Sequence, residues 1–76
     1  MPRYFFRLSN GDVLRDEDGE ELPDNGAACA AALDVFAETI PSKQTDLMDG
    51  GEYEVMVTDA DDRQIYSITA QGRRFV

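Results

Sequence analysis

Between Asp12 and Asn25 the chain carries seven acids and a single base. The acids are Asp12, Asp16, Glu17, Asp18, Glu20, Glu21 and Asp24, and the base is Arg15. Carboxylates at this density can hold a hard cation, act as an acid–base pair in hydrolysis, or present a negative surface to a basic protein. The cation reading has a definite test, because "DEDG" resembles part of an EF-hand loop. If Asp16 and Asp18 stood at loop positions three and five, position one would be Leu14 and position twelve Asn25, and neither supplies the carboxylate required. The run "DADDRQ" fails in the same way, since Arg63 would stand at position five. Weak metal binding is the most these stretches allow. Chance pairs of acids are expected in any chain this acidic, so hydrolytic chemistry has no specific support. A solvated acidic surface that keeps a small protein soluble is the baseline. As a candidate partner surface, the residues to watch are Asp16, Glu17, Asp18, Glu20 and Glu21.

Other reactive groups are few. Cys29 is the only cysteine, and the chain has no histidine. A thiol nucleophile needs a neighbouring base or a depressed pKa, and a zinc site needs more ligands than these. Cys29 falls on an apolar stripe, so it reads as core filler. Tyr4, Tyr53 and Tyr66, with Phe5, Phe6, Phe36 and Phe75, could stack bases on an open sheet, but such platforms need basic surroundings. They read as core and sheet-edge aromatics. There is no phosphate loop and no dinucleotide fingerprint, so no cofactor is implied. No catalytic constellation emerges, and the chain reads as non-enzymatic.

Sixteen acids against seven bases give a net charge of −9 over 76 residues. That charge disfavours direct contact with nucleic acid and with anionic membrane surfaces. No apolar run reaches membrane-spanning length, and "MPRYFFRLSN" lacks the apolar core of a secretion signal. With one free thiol, a cytoplasmic protein is expected. A chain of this size forms one domain, residues 1–76, that buries roughly 60% of its unfolded surface. With no disulfide and no metal to compensate for a thin core, a homodimer is expected over a monomer.

The elements that position these groups are legible in outline. "RYFFRLS" alternates as a strand from Arg3 to Ser9, with Tyr4, Phe6 and Leu8 on one side and Phe5, Arg7 and Ser9 on the other. Asn10-Gly11 predicts a two-residue hairpin turn into Asp12–Arg15, placing Leu8 opposite Val13 and Arg7 opposite Leu14. Both sides then carry apolar residues, and the core side stays open. A second turn is expected at Asp18-Gly19. Pro23 disfavours helix at Leu22, and Asp24 is a good N-cap for a helix from Asn25 to Ile40. In that helix Cys29, Leu33, Phe36 and Ile40 form the expected buried stripe, with Ala32 and Ala37 beside it. Pro41 should end the helix, and "PSKQTDLMDGG" should be a loop tethered by Leu47 and Met48. "EYEVMVT" alternates Tyr53, Val55 and Val57 against Glu52, Glu54, Met56 and Thr58. "DADD" turns the chain into "RQIYSITA", and Phe75 and Val76 are candidates to dock. The expected fold is α+β: two antiparallel β-hairpins in ββαββ order forming one sheet, with a single helix across one face.

The opening "MPRYFF", the stretch "GEELPD" followed by "AA", and a closing hairpin of the form V-x-D-x-D together resemble a group of short bacterial proteins gathered as a domain of unknown function. Members open M-P-R-Y-[FY]-F and carry G-x-E-L-P-D-x-x-A-A, and the likeness runs from Met1 to about Ile68. It implies signature positions at Met1 to Phe6, Gly19, Glu21, Leu22, Pro23, Asp24, Ala27 and Ala28, and brings no activity or catalytic residue. Asp62 stands where the family's last turn usually has glycine, so a different turn is expected there. The helix is poorer in charge than the resemblance implies, which suits a helix covered by a partner. The leading functional expectation is a protein-interaction or self-association module. The alternatives are an acidic antitoxin-like or regulatory domain that binds a basic protein, and a weak metal-binding domain.

Overall fold

The computed structural model describes residues 1–10 and 13–76. Its strands are β1 (Arg3–Ser9), β2 (Val13–Arg15), β3 (Glu20–Glu21), β4 (Glu52–Asp59) and β5 (Gln64–Gln71). Between β3 and β4 lie α1 (Asn25–Thr39), a 3-10 segment (Ile40–Lys43) and a short α2 (Gln44–Met48). All strand pairs are antiparallel, in the order β2-β1-β4-β5, and β3 joins the same edge of β1 as β2. The fold is therefore α+β, one antiparallel sheet with helix on one face. Among the described residues no helix is long and apolar enough to cross a membrane.

Period-two alternation selects the helix-facing side of the sheet. Tyr4 and Phe6 of β1 and Tyr53, Val55 and Val57 of β4 are buried there, and Leu8, Tyr66 and Ile68 pack against them. The question that both apolar sides of β1 left open is thus settled in favour of Tyr4, Phe6 and Leu8. The opposite side carries Phe5, Arg7 and Ser9, and among the described residues no helix lies over it.

The β1–β2 register differs by one residue from the expected one. Leu8 pairs with Leu14 and Arg7 with Arg15, not with Val13 and Leu14. A slip of one residue moves a strand's whole side-chain set to the other face. The observed register keeps Leu14 on the side of Leu8 and Phe6; the expected one would have put it beside Arg7. The Asn10-Gly11 turn falls on Gly11 and, with Asp12, lies outside the described residues; β2 itself begins at Val13.

α1 packs over β4 and β5, with Ala32, Phe36 and Ile40 on the core side as expected but Ala28 in place of Cys29 and Leu33. Ala28 and Ala32 are fully buried, with Ala31, Val35, Phe36 and Ile40 around them. Leu33 is 42% exposed, and Cys29 lies at the flank, half-buried. The reason is steric. Alanine's short side chain lets the helix axis approach the buried valines and tyrosines, and larger residues are displaced to the sides. Each end of α1 is pinned by a buried tyrosine. Tyr4 Oη donates to Asn25 Oδ1 at 2.8 Å, and Tyr53 Oη is hydrogen-bonded to Thr39 Oγ1. Pro41 ends α1 as expected but does not start a loop: it sits in the first turn of the 3-10 segment, and the chain stays helical to Met48. Leu47 reaches the core margin as a tether, whereas Met48 stays exposed. Phe75 and Val76 do not dock; they are 82% and fully exposed.

Candidate interaction surfaces

The acidic segment between β2 and β3 is built around its own backbone. Asp16 accepts from the amides of Asp18 and Gly19 at 3.2 and 3.1 Å, and the Asp16 amide donates to the Phe6 carbonyl at 2.9 Å. Gly19 takes a left-handed backbone with φ 75°. A Cβ there would stand 2.9 Å from Arg3 Cγ, Phe5 Cε1 and the Tyr4 carbonyl oxygen, so both conformation and space require glycine. Arg3 clamps the segment from β1, donating to the Asp18 carbonyl at 2.7 Å and pairing with Glu21 at 3.3 Å. Of the five candidate partner residues, Asp16 and Glu21 are thus engaged within the fold, and Glu17, Asp18 and Glu20 present exposed side chains. Among the described residues no group of three acidic, His or Cys side chains converges as a metal cluster.

Asp24 is the N-cap of α1. Its backbone is extended, and Oδ1 accepts from the Ala27 amide at 2.8 Å.

The β4–β5 turn is organised by Asp59. Its carboxylate accepts from the Asp61 and Arg63 amides, each at 2.9 Å, and from Arg63 Nε at 3.0 Å. These contacts, the Arg63 amide foremost, hold the Asp59 carboxyl below its ordinary value of 3.8. Asp62 takes φ 64°, the left-handed geometry that glycine serves most easily. A different turn was expected because glycine is missing; instead the aspartate adopts the conformation that glycine favours.

The two edges of the sheet differ. One is formed by β2 and β3, which are short, interrupted and charged. The other is β5, "QIYSITAQ", eight residues with no charge, proline or glycine. Its irregularity lies near the turn, where pairing shifts between Val57 and Thr58. Edge strands are commonly blunted by lysine, proline or bulges, and from Tyr66 onward β5 has none of these.

On the open face of the sheet, pairing registers align Arg15, Arg7, Met56 and Ser67 in one row. Arg7 donates through Nη2 to Met56 Sδ at 3.2 Å. Glu54, one row away on that face, is hydrogen-bonded by Thr69 Oγ1 at 3.4 Å. Among the described residues neither Arg7 nor Arg15 forms an ion pair. Both line a cleft of about 290 Å³ with Phe5, Thr58, Asp59 and Asp62. Sequence reasoning missed this pair, because the expected register placed Arg7 opposite Leu14. Val13 and Leu14 are both exposed, so hydrophobic patterning carries no signal for this register. The aromatic platform does not form: Tyr4, Phe6 and Tyr53 are buried beneath α1.

The chain belongs to a family described as Domain of unknown function (DUF6894), whose model matches residues 3–71. No curated protein and no solved structure matches it significantly.

Proposed function

We propose that this protein is a non-enzymatic interaction module of the cytoplasm that self-associates as a homodimer through the open edge of β5. The observation that carries this reading is the uncharged eight-residue β5 edge on a chain of net charge −9. Unpaired backbone donors and acceptors along such an edge are a template for another strand. Two copies meeting there bring no charged β5 side chains together, whereas pairing through the acidic segment between β2 and β3 would oppose like charges. Antiparallel pairing about a two-fold axis would satisfy both edges at once.

Sedimentation equilibrium over a wide concentration range tests this, with Ser67→Lys as the variant. Ser67 is exposed and lies outside the core. A dimer that becomes a monomer in Ser67→Lys, with unchanged circular dichroism, supports the edge. A wild-type monomer at every concentration, or a dimer indifferent to the lysine, overturns it.

A second reading rests on the exposed Glu17, Asp18 and Glu20, whose negative field would steer a basic protein partner. That is the antitoxin-like or regulatory alternative. It requires a partner whose capture fails at high salt and in the Glu17→Gln/Asp18→Asn/Glu20→Gln variant; capture indifferent to both would remove it.

A further inference from the structure

We propose that the cleft on the open face of the sheet is a binding site for a small monocarboxylate, with the carboxylate held between Arg7 and Arg15 and the apolar body lying against Phe5. Like charges directly opposite on neighbouring strands destabilise a sheet, yet Arg7 and Arg15 are direct cross-strand partners. Among the described residues no carboxylate pairs with either guanidinium, although Asp16, Asp59 and Asp62 line the same cleft. Glu54, an acid on the same face, receives a hydrogen bond from Thr69, and the acceptor that Arg7 does find is a thioether sulfur, a weak one. A half-buried guanidinium with several unused donors is matched by a carboxylate, which accepts two parallel N–H bonds and cancels part of the mutual repulsion.

The cleft also limits what the anion is. At about 290 Å³ it lies at the small end of ligand sites, sized for a compact molecule. Phe5 shares the face of Arg7 and supplies an apolar wall. Asp16, Asp59 and Asp62 line the same cleft. The carboxylates of Asp16 and Asp59 are bound into their own turns. This negative lining opposes a polyanion more than a single charge, so phosphate esters and nucleotides are disfavoured relative to a monocarboxylate. The site lies on the sheet face, and its existence does not depend on pairing at the β5 edge.

The test is a titration of the full chain with benzoate, and separately with inorganic phosphate, followed by NMR of the arginine Nε–H, Phe5 and Met56 signals. Saturable benzoate shifts at Arg7, Arg15 and Phe5 are expected, weakened about tenfold or more in Arg15→Gln. Arg15 is exposed, so its loss leaves the core intact; Arg7→Gln is the companion variant, with dispersion of the amide spectrum as its folding control. Arg73→Gln/Arg74→Gln should leave the benzoate shifts unchanged, and Asp62→Asn should strengthen binding. Absence of saturable benzoate shifts, equal binding by Arg15→Gln, or tighter binding of phosphate than benzoate would each overturn the proposal.

Discussion

The Tyr4 hydroxyl, at the start of β1, donates at 2.8 Å to the side-chain oxygen of Asn25, the first residue of α1. Tyr4 is almost fully buried, so its hydroxyl depends on that partner, while its ring forms part of the floor under Ala28 and Ala32. Tyr53 makes the equivalent link to Thr39 at the far end of the helix. Two tyrosines thus set the direction in which an alanine-faced helix crosses the sheet. Alanines alone make smooth contacts that would tolerate sliding. Tyr4→Phe removes one hydrogen bond and keeps the ring, and should cost about 1 kcal/mol. For a domain of this size that lowers the melting midpoint by about 4–8 °C. Asn25→Ala should cost a similar amount, and the double variant should cost less than the sum, as measured by thermal unfolding. Strict additivity would show that the two side chains do not act together.

Asp24 carries a purely local role, and its replacement separates stability from binding. Asp24→Ala should destabilise by about 1 kcal/mol through loss of the bond to the Ala27 amide. Asp24→Asn should recover most of that, because asparagine offers the same oxygen. Urea unfolding of the three proteins decides the point; an unchanged midpoint in Asp24→Ala would show that the cap contributes nothing.

The two left-handed turn residues respond in opposite directions. Asp62 has φ 64° with a side chain, and Gly19 has φ 75° without one. Asp62→Gly should stabilise the hairpin by roughly 0.5–1 kcal/mol, since the backbone strain of a non-glycine residue is relieved and exceeds the added chain entropy. Gly19→Ala should destabilise by about 1–3 kcal/mol, because its Cβ meets Arg3, Phe5 and the Tyr4 carbonyl as well as the unfavourable φ. Chemical denaturation of both variants is the measurement. A destabilised Asp62→Gly would mean that the aspartate side chain itself supports the turn.

What could be read without coordinates was set by local chemistry. The Asp24 cap follows from Pro23, an acceptor side chain and a helical run in adjacent residues. The alternation of Tyr53, Val55 and Val57 identified their strand face. What failed depended on contacts distant in sequence. Hydrophobicity ranks Leu33 and Cys29 above Ala28 and Ala32, but the buried tyrosines and valines of β4 select small residues. Asn10-Gly11 suggested a short turn, yet Leu8 pairs with Leu14 and not with Val13. The Arg7–Arg15 pair depends entirely on that register, so a one-residue error concealed the cleft. The exposed β5 edge was hidden for a related reason: "QIYSITAQ" signals a strand, but edge or centre is decided by the sheet order.

Asp59 gives the fold a defined response to acid. Its carboxyl is held below 3.8 in the folded chain, first by the Arg63 amide, and its side chain is only 14% exposed. A carboxyl whose folded pKa lies below its unfolded value contributes stability that is fully present above the unfolded value. That contribution is lost as pH falls through the folded value. Other carboxylates also titrate in this range, so the wild type alone does not isolate Asp59. Asp59→Asn does, because the amide oxygen can still accept from the Asp61 and Arg63 amides while the charge facing Arg63 is gone. The stability difference between wild type and Asp59→Asn should be constant from pH 7 to about 5. It should then narrow as pH falls below 3.8. Urea midpoints measured from pH 7 to about 2.5 would show this narrowing. A difference that stays the same down to the lowest pH would mean that the Asp59 charge adds nothing beyond the turn's hydrogen bonds.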